Sequence, residues 1–399
     1  METAASGSCR SVPTAADAQP RATSRLLFID NIRVYLTILV LLHHLMITYA
    51  GTGSWYYTEG RQDFFTKALG SWFCATDQAY FMGLFLLISS YFVPGSYDRK
   101  GASRFLKDRL IRLGIPLALF SWVINPLFVY GGLVLSRDLR MPLWHFFPGE
   151  YFKTEPLIGA GPLWFVEVLL IFSLVYVLWR FLVRSRPPNL AVETRFPGNC
   201  SIALFALLLG LAGFLVRLVF IMDVYTFKPL NLQFPFFAQY IALFVVGLTA
   251  YRRNWFLGLP DKTGRLWLRM AVLLIFLWLP MIVAVGAITD DVPLRGGWHW
   301  QSLCYALWES FLCISMCIGL IYAFRRYLNR RGKIAGFLVA NAYTAYIIHA
   351  PVITTLAFAV QGVTLYPLLK WALAALGAVP LCFGLSSLIR KLPYTERVL

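Results

Sequence analysis

Charge is what this sequence of 399 residues holds least of: Asp, Glu, Lys and Arg together make up 14% of it, against about 25% in a soluble globular domain. In their place 59% of the chain is hydrophobic, with 32 Phe, 20 Tyr and 13 Trp, and the mean hydropathy is +0.65. A soluble core of this length cannot hide so much apolar surface, and disordered or collagenous readings fall with it. Cysteine is sparse too. Cys9, Cys74, Cys200, Cys304, Cys313, Cys317 and Cys382 show neither C-x-x-C nor Cys/His ligand spacing, so neither a metal site nor a disulfide framework is indicated. The absence of a P-loop and of any sequence repeat argues against a primary pump or an ATP-binding cassette. The first 24 residues are rich in Ala, Ser, Thr and Pro but lack the apolar run of a cleaved signal peptide. We read 1–24 as a disordered tail.

What is there is an all-α pattern, a polytopic membrane helix bundle of about ten transmembrane helices. Apolar runs place spans near 34–50, 72–93, 110–135, 163–183, 201–222, 234–251, 268–289, 301–324, 336–360 and 366–389. One membrane domain, 25–390, makes up nearly the whole chain, with a short second tail at 391–399. The formal charge of +17 arises from 36 Lys and Arg against 19 Asp and Glu. Labelled alternately from the N-terminus, one set of joints holds 26 of those cations and the other 7. Arg33, Arg217 and Lys370 fall at or within spans. Membrane proteins retain Lys and Arg in cytoplasmic loops, so the excess calls for no nucleic-acid partner, and both termini are expected in the cytoplasm. A plasma or bacterial inner membrane is the expected location. The longest outer joint, about 136–162, carries Trp144, His145, Phe146 and Phe147 and is long enough to fold over a site.

Ionisable side chains inside hydrocarbon are costly, so each is a functional candidate. In the first span Asp30-Asn31-Ile32-Arg33 leads to His43-His44. Arg33 and His44 lie about three turns and ~16 Å apart on one helix face. Adjacent histidines point about 100° apart, so both cannot face one site equally; His44 is the chemical residue and His43 its neighbour or a structural partner. An imidazole can take a proton from a hydroxyl and return it near neutral pH. In the basic joint Arg109 and Arg112 are three apart, where paired guanidinium groups can grip phosphates. Glu167, Glu309 and His349 are further intramembrane candidates, each equally readable as a satisfied packing group.

In order along the chain stand Asp30, Arg33 and His44; Leu87-Ile88-Ser89-Ser90-Tyr91-Phe92; Arg109, Arg112 and Pro116; Leu163, Trp164, Phe165 and Glu167; and Tyr343, Thr344, Tyr346, His349 and Pro351. Taken together they resemble the acyltransferase-3 family of integral membrane acyltransferases over about 25–390, and the joints look closest to its glucan biosynthesis protein C type. The doubled histidine departs from the family pattern. The resemblance implies transfer of an acyl group, acetyl or succinyl, from a cytoplasmic acyl-coenzyme A cosubstrate to a hydroxyl of an extracytoplasmic glycan or related acceptor, with no permanently bound cofactor. Arg109, Arg112 and Arg33 would hold the donor's phosphates. His44 would act as base or as nucleophile, and Glu167 and His349 would orient it or bind the acceptor. Trp55, Tyr56, Tyr57 and Trp144 would offer faces for a sugar. The rival reading is a proton-coupled transporter using the same His and Glu residues; it predicts an internal repeat and broken helices, and neither is evident.

Overall fold

The computed structural model describes residues 26–60, 62–135, 141–154, 159–183, 195–223, 227, 230, 232–287, 292–330, 332–393 and 395–398. The expected tail 1–24 lies outside them, as do residues 136–140 and 155–158 of the long joint expected at about 136–162.

Among the described residues ten long helices follow one another: α1 (Leu27–Ala50), α2 (Phe64–Tyr91), α3 (Val93–Val134), α4 (Gly161–Val183), α5 (Asn199–Arg217), α6 (Phe234–Arg252), α7 (Asp261–Ala284), α8 (Trp300–Tyr327), α9 (Lys333–Ala359) and α10 (Pro367–Ile389). Nine of these are long and apolar enough to cross a membrane. The tenth, α2, has 28 residues but carries Thr76, Asp77 and Gln78 in its middle, which lower its hydropathy. The protein is therefore an integral, multi-pass membrane bundle, as its composition requires.

Starts and stops follow local chemistry. α1 ends where Gly51 takes φ 65° and returns its N–H to Ile47 O, a left-handed stop that costs glycine nothing. Asp63 caps α2, accepting from Thr66 N at 3.0 Å and from Thr66 Oγ1 at 2.5 Å. Those bonds hold the exposed Asp63 carboxyl below the usual carboxylate range.

α1, α2 and α8 are the most deeply buried of the helices, with α9 packed against α1; α5, α7 and α10 turn broad apolar faces outward. Small residues allow the close approaches. Gly247 of α6 lies against Leu87 and Ser90 of α2, so a Cβ there would strike the Ser90 hydroxyl and the Leu87 carbonyl. Gly247→Ala should therefore lower stability by about 1–3 kcal/mol through overpacking. Thermal unfolding in detergent with an unshifted midpoint would refute it.

One end of the bundle is basic and tied down by polar contacts. Asn31 Nδ2 donates to the carbonyls of Leu328 at 2.5 Å and Arg330 at 3.2 Å. Asp98 of α3 accepts from Arg180 of α4 at 3.1 Å and pairs with Arg252 of α6 at 2.5 Å. At the far end Lys370 of α10 pairs with Glu59 in the α1–α2 loop and donates to Val363 O at 2.9 Å.

The expected spans appear in the expected order, but four begin well before the expected residue: the first at Leu27 rather than 34 and the second at Phe64 rather than 72, as well as the seventh and the third. The seventh begins at Asp261, earlier than expected, because Pro260 and Asp261 supply a helix start. The third is helical from Val93, through the whole basic stretch that reads as a joint in the sequence. It kinks at Gly101, φ 73°, and widens into π-turns at Leu110–Gly114 and Phe120–Ile124.

Candidate functional site

The histidines define the centre. α1 and α9 pack side by side, bringing the His44 and His349 rings to 5.2 Å between centroids, 21° from parallel. The α1–α2 loop then folds back over them. Its return is fixed by positive-φ Gly51 and Gly53 and by Glu59 N donating to Thr48 O at 2.9 Å. As a result the Trp55 indole lies on His44 at 3.8 Å and 17°. Trp55 therefore does not offer its His44-facing side to a sugar; that face is already covered.

The nitrogens are informative. His349 Nδ1 meets the carbonyl of Tyr346, so Nδ1 carries the proton and Nε2 keeps the lone pair. His349 Nε2 and His44 Nδ1 are both buried and have no hydrogen-bond partner. A buried imidazole nitrogen without a partner costs stability, and two in one stack mark a place where a ligand's polar atoms complete the bonding. His43 turns elsewhere. Its Nδ1 lies 3.6 Å from Asp77 Oδ2 on α2, and its ring stands edge-on to His44 at 5.5 Å. Beside them Tyr35 and Tyr80 share a hydrogen bond of 2.6 Å.

The arginines gather at the basic end. Arg33 lies 3.4 Å from Asp30 and over the Phe92 ring at 4.9 Å. Arg109 sits half-buried over Phe105 at 5.0 Å, while Arg112 is exposed. The charges of Arg112 and Arg33 both act on Arg109, so three cations converge from α1 and α3 with repulsion that a polyanion would relieve. Arg112 belongs to the first π-turn, a local widening often found at functional sites. Its carbonyl accepts from the Tyr343 hydroxyl. α9 thus connects both regions: Tyr343 holds the Arg112 turn, Tyr346 donates to Pro162 O at 2.5 Å, and His349 enters the stack. These three steps cover about 9 Å of helix.

The remaining sequence candidates separate. Glu167 on α4 is 2% exposed and neither carboxylate oxygen has a partner; among the described residues no hydrogen bond or ion pair joins it to either histidine. Phe165, two residues before it, packs on Phe85 and Tyr346, which places α4 beside the stack. Glu309 is spoken for, its Oε2 accepting from Arg217 Nη2 at 2.5 Å. Trp144 is exposed and Tyr57 packs on Phe358.

Sequence reasoning missed Asp77 and Asn125. Both lie within expected spans; the rule that singled out Glu167 would have found the ionisable Asp77, and extending it to neutral polar side chains would have found Asn125. Asn125 Oδ1 accepts from Tyr56 at 2.6 Å and its Nδ2 donates to Tyr151 at 2.7 Å. Through these bonds the segment around Tyr151 is fastened to the loop that carries Trp55. At the same end a cleft of about 430 Å³ opens between Glu59, Gln62, Gln361, Thr364 and Tyr366. Among the described residues no group of three or more His, Cys, Asp and Glu side chains could hold a metal ion.

Compared with known proteins, residues 26–387 match the family model described as an acyltransferase domain. No curated protein and no solved structure matches.

Proposed function

The chain belongs to the acyltransferase-3 family, and from that premise we propose that it moves an acetyl or succinyl group from acyl-coenzyme A, bound at the cytoplasmic basic end, to a hydroxyl of an extracytoplasmic glycan or related acceptor. Membership of an enzyme family decides between the acyltransferase and transporter readings. The observation that carries the finer reading is the stack of His44 on His349, with one nitrogen of each unpartnered, ~16 Å along α1 from Arg33.

Arg33, Arg109 and Arg112 bind the donor's phosphates, drawn by the positive field of that face. The acyl arm then runs into the bundle towards His44. The acceptor enters from the far side by the polar cleft and displaces Trp55 from His44. His44 takes the hydroxyl proton as the C–O bond to the acyl carbon forms and the C–S bond breaks; the same proton passes from His44 to the departing thiolate, so charge balances over one turnover. His349, with its lone pair on Nε2, accepts a hydrogen bond from the acceptor and orients it. Glu167 remains a candidate for binding a second acceptor hydroxyl. On this reading both termini are cytoplasmic, and the membrane is the plasma or inner membrane.

Radiolabelled acetyl- and succinyl-coenzyme A supplied to membranes test it. Label should pass to a glycan or lipid-linked fraction. With Arg109→Ala the donor KM should rise about tenfold or more with kcat little changed, the signature of lost binding common to ground and transition states. Donor consumption that ignores Arg109 would overturn the docking assignment.

A further inference from the structure

His44 must hold a positive charge for part of each turnover, in a place where an uncompensated charge is expensive. Its stacking partner His349 offers no negative charge, and among the described residues no hydrogen bond or ion pair joins Glu167 to His44. The negative group nearest in the chain of contacts is Asp77. Its side chain is 6% exposed, that of His43 is 8% exposed, and 3.6 Å separates Oδ2 from Nδ1. Neither atom has a hydrogen-bond partner, so each is the polar group nearest to satisfying the other across this short gap. The His43 ring in turn stands edge-on to His44 at 5.5 Å and rests on Phe81 at 5.0 Å. Asp77 also acts electrostatically on Tyr35, Tyr80 and Cys74, none of which carries a compensating positive charge. An aspartate without such a purpose would be out of place at the centre of a span.

We propose that Asp77 is a positioning residue that works through His43: it fixes the His43 proton on Nδ1 and supplies the counter-charge against which His44 becomes imidazolium during acyl transfer. This rests on the assignment of His44 above. The doubled histidine then has a division of labour, one ring facing substrate and the other linking it to a carboxylate. A carboxylate that orients and balances a working imidazole is a recurrent arrangement.

Four variants in membranes, assayed for acyl transfer and for stabilisation by coenzyme A, separate the possibilities. Asp77→Asn should lower kcat roughly 10²-fold with donor KM and coenzyme A stabilisation unchanged, and Asp77→Glu should recover much of the loss. His43→Gln should fall similarly, and the double variant Asp77→Asn/His43→Gln should be no worse than either single one, because the two act as a unit. Full kcat in Asp77→Asn would overturn the proposal, as would a loss traced to missing coenzyme A binding or failed insertion, which is what a merely structural aspartate predicts. His44→Ala runs alongside. If it is inactive while Asp77→Asn is not, this inference alone fails; if it is active, the reading on which the inference rests fails first.

Discussion

Replacing His44 by Ala should reduce kcat by roughly 10²–10⁴-fold, the range that a positioned acid–base group contributes, while coenzyme A continues to raise the unfolding temperature as it does for the unaltered protein. On the proposed function the donor is held at Arg33, three turns along α1 from His44, and at Arg109 and Arg112 on α3, so binding should survive when chemistry does not. The substitution also removes the surface on which Trp55 rests; the structural cost falls on a loop rather than on the bundle. A His44→Ala protein with normal insertion and normal kcat would end the assignment of this residue to proton transfer.

The largest effect on stability should come from a pair that takes no part in that chemistry. Arg217 is 1% exposed and Glu309 5% exposed, their charges meet at 2.5 Å, and the guanidinium lies between the rings of Phe236 at 5.3 Å and Tyr305 at 5.8 Å. Glu309→Ala leaves a guanidinium stranded among aromatics, a loss of about 3–5 kcal/mol. Removing both charges together, as Arg217→Met with Glu309→Leu, should restore most of it, because a buried ion pair is worth little more than the apolar packing that can replace it. Denaturation of purified protein in mixed micelles reads both numbers. A single variant within about 1 kcal/mol of the parent would mean that water reaches the pair.

The sequence alone made the architecture legible for a simple reason: hydrocarbon tolerates few structures, so apolar runs separated by basic joints leave helices as the sole economical reading. What it could not set was where helices begin in the joints. The stretch after Phe92 is full of Arg and Lys and looks like a loop, yet it is helical, since Lys and Arg favour helix when their heads reach water. Within the site, the placing of Arg33 and His44 on one face of the first span followed from the period of one helix. The meeting of His44 with His349 did not, because 305 positions separate them and only tertiary packing decides the contact. Trp55 illustrates the same limit: its loop position suggested an open face, and two glycines that fold the loop back gave that face to His44. Asp77 was readable by the rule applied to Glu167 and was passed over.

The modest hydropathy of α2 bears on how the chain enters the membrane. An aspartate at mid-span adds about 2.5–3.5 kcal/mol to the free energy of insertion, so this segment leaves the translocation machinery less readily than its neighbours. α1, made just before it, brings His43 to the same depth, and the two segments inserted as a hairpin shield from lipid what each would expose alone. If Asp77 acts as proposed, biogenesis and catalysis draw on the same contact in opposite directions: an aspartate-to-asparagine exchange at this position should ease the passage of α2 into the bilayer and yield a protein that is made well and works slowly.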